Sequence, residues 1–183
     1  MINFPTLQSL DKLEVFFKII RSASIPPKFT YRYLAKLGFA SSNDRNFISL
    51  LRKLGFIDNK NVPTQKYSLL RDITLFKEIL GQQVLFFYKD IFEIDTNALF
   101  VPEDVLLGYF GRLSSQDSKF LKNAVSLFLK LGTLASFEVL AQKKHIKEVS
   151  ISKPKINLNI TLPTTTDEKV YESLFRHLKK LLR

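Results

Sequence analysis

Apolar residues in the first third of this chain return every three or four positions, and the pattern twice stops at a glycine. Leu10, Leu13, Phe16, Phe17 and Ile20 share one face of a predicted helix over 7–21. The segment from Ser22 to Pro27 ends it, because paired prolines force extended backbone. Thr30 is placed to cap a second, short helix through Leu37. Ser41 or Ser42 caps a third through Leu54, with Asp44 against the positive end of the helix dipole. Both short helices close on the same tetrapeptide, Lys-Leu-Gly-Phe, at positions 36–39 and 53–56. A glycine there takes the left-handed conformation that stops a helix, and the next apolar residue folds back over the last turn. The run Asp58-Asn59-Lys60-Asn61 is turn chemistry between Phe56-Ile57 and Lys66–Leu70, with Pro63 where a hairpin arm tolerates it. Helix, turn, helix, hairpin is the order of a winged-helix domain.

The pattern downstream predicts a fourth helix over 73–92, weakened by about 1 kcal/mol at Gly81, where a bend or break is expected. Pro102-Glu103-Asp104 opens a helix to about position 112. Ser114 or Ser115 caps another that Gly132 ends. Ile156, Leu158, Ile160 and Leu162 then alternate with polar residues, the period of a half-buried strand. Thr165-Thr166-Asp167-Glu168 reads as a capping box before a last helix carrying Tyr171, Leu174, Phe175, Leu178 and Leu181. A lone strand needs a partner. Three are open: the 148–152 segment, the hairpin, or the same strand in a second copy, which would make the C-terminal element a dimerisation unit. The fold class expected is therefore mainly α (α+β). It comprises an N-terminal winged helix-turn-helix over 1–72, a helical region over 73–140, and a basic linker with a strand–helix element over 141–183.

Charge adds a partner to this picture. The chain carries 28 Lys and Arg against 17 Asp and Glu, a net charge of +11. Residues 1–72 hold twelve basic and five acidic side chains and residues 73–183 sixteen and twelve, so per residue the candidate DNA-reading part is the more basic of the two. Such a balance suits a polyanion. Cysteine is absent, which excludes disulfides, thiolate metal sites and cysteine nucleophiles. No apolar run approaches a membrane span, and Pro5 and Asp11 stand where a signal peptide needs a basic and then an apolar run, so the chain reads as cytoplasmic.

Catalysis finds little support. His145 and His177 belong to no spaced metal-ligand motif, the six glycines form no phosphate-cradling loop, and the paired acids Glu103-Asp104 and Asp167-Glu168 sit at helix starts. No enzyme, cofactor or metal is expected.

On a helical wheel the third helix turns Phe47, Leu50, Leu51 and Leu54 inward. Its opposite face is centred on Arg45, Ser49 and Arg52 and flanked by Ser42, Asn46 and Lys53. Arginine pairs bidentately with guanine and asparagine with adenine, so this set suits the major groove of duplex DNA. Lys28, Lys36, Lys60 and Lys66 are placed to meet phosphates, the last two from the hairpin, and Tyr31, Tyr33 and Tyr67 are the aromatics expected near such a surface. A solvated helix face has the same pattern, and Asp44 beside Arg45 is placed to neutralise it.

The run from Ile25-Pro26-Pro27 through Lys36–Phe39, Ser41–Arg45, Leu54–Asp58 and Tyr67–Asp72 resembles a prokaryotic family catalogued as a domain of unknown function. The ending Ile156–Pro163 with Val170–Phe175 is similar to that family's ending. The resemblance implies a winged-helix-like N-terminal half and a setting beside defence or mobile-element genes; it supplies no catalytic residue and no ligand. The function expected is non-catalytic duplex DNA binding, as a regulator or targeting subunit. The competing expectation is a protein–protein adaptor in a larger complex.

Overall fold

The computed structural model describes residues 1–135, which belong to the first of two units, Met1–Ile146 and Lys147–Arg183. The alternating segment at 156–162, the last helix, both histidines and the proposed dimerisation unit lie outside the described residues.

Three short helical segments open the fold, and each begins or ends for a local reason. Helix α1 (Lys12–Ser22) buries Leu13, Phe16, Phe17 and Ile20. In α2 (Tyr31–Lys36) the Thr30 hydroxyl accepts a hydrogen bond from the Tyr33 N–H at 3.1 Å, the expected cap. A 3-10 turn (Asn43–Arg45) leads into α3 (Asn46–Lys53). Ser41 begins this turn reciprocally: its N–H donates to Asp44 Oδ2 at 3.0 Å, while its hydroxyl accepts from the Asp44 N–H at 3.2 Å. Both glycine stops hold, since Gly38 and Gly55 have φ of 95° and 73°. Phe16 of α1 stacks on Phe47 of α3 at 4.3 Å, and Phe39 meets both rings edge-on, so one aromatic cluster locks the segments together.

The hairpin is where the winged-helix expectation fails. Ile57 and Pro63 form a single antiparallel bridge, with Asp58 N–H donating to Val62 O at 2.9 Å, and no strand or sheet forms among the described residues. The would-be second arm is instead a helix, α4 (Gln65–Leu70). Its burial explains why. Tyr67 and Leu70, three residues apart, are fully buried, while Ser68 and Leu69 between them face outward. A strand would send Tyr67 and Leu70 to opposite faces, so only a helix buries both. The fold is mainly helical without a wing.

Helices α5 (Phe76–Phe87), α6 (Lys89–Ile94), α7 (Glu103–Leu113) and α8 (Ser118–Ala135) complete the described residues. The predicted 73–92 helix divides at Tyr88, whose φ of −96° and ψ of 22° leave the helical region, and not at Gly81, which is buried inside α5. Tyr88 turns there to pack its ring on Phe128 at 4.8 Å. Asp117, not Ser114 or Ser115, caps α8 by accepting the Phe120 N–H at 2.8 Å. Gly132 does not end α8 but lies buried within it; a Cβ there would stand 2.5 Å from the Leu99 side chain. The glycine serves close packing, not helix termination. Helix α8 packs on α5 and α7, and Phe4 from the N-terminal segment joins Tyr88 and Phe110.

Candidate nucleic-acid interface

Between Glu14 and Asp58 the chain carries eight Lys and Arg and a single acid, Asp44. Asp44 is 2% exposed and faces inward. Its carboxylate meets the Lys12 ammonium at 3.1 Å, the one ion pair among the described residues, as well as the Ser41 N–H. Arg45 is therefore not neutralised by its sequence neighbour, contrary to the expected local pair. Burial pushes the Asp44 carboxyl up, but the Ser41 hydrogen bonds and Lys12 outweigh it and hold the group below the usual carboxylate range.

With that acid withdrawn, the outer face of α3 is positive and its arginines rest on neutral partners. Arg45 is exposed, and its guanidinium lies over the Tyr31 ring, 4.3 Å from the centroid. Tyr31 is itself fixed, because its hydroxyl donates to the Ala40 carbonyl. Arg52 is also exposed and donates from Nη2 to Asn61 Oδ1 at 2.6 Å. Asn61 has a positive φ of 63°, donates its N–H to Asp58 O at 2.9 Å and accepts the Phe29 N–H at 2.7 Å. It thus ties the loop carrying Lys60 to the segment carrying Lys28 and to the end of α3. Seven residues separate the two arginines, about 10 Å along a helix axis.

The remaining predicted positions divide into two groups. Ser42 is exposed at the start of the 3-10 turn; Asn46 and Ser49 are half-buried along α3; Lys28, Lys36 and Lys60 are exposed. Lys53 and Lys66 are engaged elsewhere. The Lys53 ammonium donates to the Asn3 carbonyl, and burial lowers its pKa. Lys66 sits on α4, donates to Gln83 Oε1 at 2.7 Å and lies over the exposed Phe86 ring. Tyr67 is fully buried and belongs to no surface. Tyr33 is half-buried with its hydroxyl on the Ser24 carbonyl at 2.6 Å.

Sequence reasoning missed Asn61, Arg32 and the role of Tyr31. Arg32 is exposed on α2, four residues from both Lys28 and Lys36, a spacing that was available in the sequence. The Asn61 and Tyr31 contacts join positions nine and fourteen residues away, across a loop and a turn, and no local pattern announces them.

Chemistry beyond binding finds few groups. Among the described residues no three His, Asp or Glu side chains gather to hold a metal ion, and no described helix is long and apolar enough to cross a membrane. Neither the curated proteins nor the solved structures give a match to this chain. The profile of one family does match, over residues 5–144, and the chain belongs to that family, the family of unknown function DUF5343.

Proposed function

We propose that this protein is a non-catalytic binder of duplex DNA, acting as a regulator or targeting subunit through the outer face of α3. The observation that carries the reading is the pair Arg45 and Arg52, exposed two turns apart and held by a ring and an amide, with the neighbouring carboxylate buried. Neutral supports orient a guanidinium without cancelling its charge. Seven positions bring a helix back to nearly the same face, so one side of α3 presents both arginines, and a major groove about 12 Å wide admits such a helix. Lys28, Arg32, Lys36 and Lys60, all exposed, meet phosphates, which position the protein without reading sequence. No wing takes part.

An adaptor reading rests on a different surface. Phe86 and Ile73 are 72% and 78% exposed, and large apolar side chains so exposed suit a protein partner.

Salt separates the two. Contact with about five phosphates makes affinity for mixed-sequence duplex fall with a log–log slope of about −4 to −5 in salt. An adaptor docking through apolar area shows a shallow slope and no retention of DNA. In a gel shift, Arg45→Ala with Arg52→Ala abolishes binding while leaving the melting temperature within about 2 °C of the parent, since neither side chain is buried. Unchanged DNA affinity in the double variant would remove α3 from the interface.

A further inference from the structure

The two arginines of the ridge are held in different ways, and the difference assigns them different work. Arg45 is supported from below. Its guanidinium lies over a ring, and no hydrogen bond to the described residues uses any of its five N–H groups. A stacked guanidinium of this kind keeps both of its bidentate edges available in a plane fixed by the ring. The ring is in turn fixed by the bond from its hydroxyl to the Ala40 carbonyl. Arg52 is held edge-on instead, with Nη2 committed to Asn61 Oδ1 at 2.6 Å. Asn61 also gathers the backbone next to Lys28, through the Phe29 N–H, and is itself next to Lys60 in the chain. One asparagine thus joins Arg52 at the C-terminal end of α3 to the two backbone segments that carry the exposed Lys28 and Lys60, and an arginine edge already committed to an amide suits a phosphate better than a base edge.

We propose that the ridge is divided: Arg45 on its Tyr31 platform selects guanine in the major groove, while Arg52, Asn61, Lys28 and Lys60 form a sequence-blind phosphate clamp. This rests on the duplex-DNA reading above. Guanine is the base chosen because its N7 and O6 acceptors lie side by side, matching two parallel N–H groups of one arginine edge. Asn61 is a positioning residue in this scheme. It sets the plane of Arg52 and the loop of Lys60, and its left-handed backbone is one that asparagine tolerates and most residues do not.

The test uses the full chain and a duplex enriched on it from a random pool, prepared once with guanine and once with 7-deazaguanine, which lacks the N7 acceptor. The wild type is expected to bind the guanine duplex about five- to a hundredfold more tightly. In Arg45→Ala that ratio falls to one. In Arg52→Ala the ratio persists, both affinities drop together, and the salt slope loses about one unit. Asn61→Gly keeps the left-handed backbone while deleting the amide, and is expected to follow Arg52→Ala. Equal wild-type binding to the two duplexes, or a ratio that survives Arg45→Ala, would overturn the division while leaving DNA binding intact. Absence of binding to any duplex would overturn the DNA reading and this inference with it.

Discussion

Asp44 sets the electrostatics of the α3 face by leaving it. The carboxylate turns inward to Ser41 and Lys12, so the eight cations between Glu14 and Asp58, six of them exposed, have no outward-facing acid among them. Its pKa lies below the unfolded-state value of about 3.9. A depressed carboxyl stabilises the fold fully above the unfolded value, and that contribution disappears as pH falls through the folded-state pKa. Asp44→Ala removes both a cap and a charge-assisted bond, a loss of about 2 kcal/mol at pH 7. In urea unfolding the gap between wild type and variant is expected to narrow at pH 3; an equal gap at both values would contradict the ion pair. The helical wheel placed Arg45 and Arg52 outward from sequence periodicity alone. That Asp44 pairs with Lys12 was not legible, because 32 residues separate them and only the packing of α1 against the 3-10 turn brings them together.

At the scale of elements, the repeated Lys-Leu-Gly-Phe stops were readable because they are local. A left-handed glycine and the apolar residue behind it carry their own geometry. Gly38 has a φ of 95° and nothing within 4 Å of where a Cβ would stand, so Gly38→Ala costs backbone strain alone, about 1–2 kcal/mol. Thermal melting is expected to show that loss with no change in the helical circular dichroism signal. Gly132 carried the same residue type and the opposite meaning, since its role depends on Leu99 thirty-three residues earlier in the chain. The 66–70 run misled for a related reason. Five residues of mixed polarity fit a strand or a turn and a half of helix, and what decided between them was the shared burial of Tyr67 and Leu70.

The hydrophobic core runs across position 72 without a break, from Phe4 to Ala135 among the described residues. The N-terminal segment joins its ends. Phe4 lies 4.4 Å from Phe110 and stacks on Tyr88, the Ile2 N–H donates to Leu113 O at 2.7 Å, and Lys53 of α3 holds Asn3. Phe4→Ala is accordingly expected to cost about 3–5 kcal/mol and to shift one cooperative transition, monitored by both helical signal and tyrosine fluorescence. Two separated transitions would show that the first three helices melt independently of α5–α8. The sequence by itself determined the helical character, the short helices and their glycine stops, the inward face of α3 and the basic bias of the first third, because each follows from spacing within one or two turns. Only the tertiary structure decided that α4 is a helix, that Tyr88 and not Gly81 breaks α5 from α6, that Asp44 is hidden, and that Asn61 and Tyr31 support the two arginines. Each of those outcomes depends on contacts between positions far apart along the chain, where burial and hydrogen-bond satisfaction outweigh local preference.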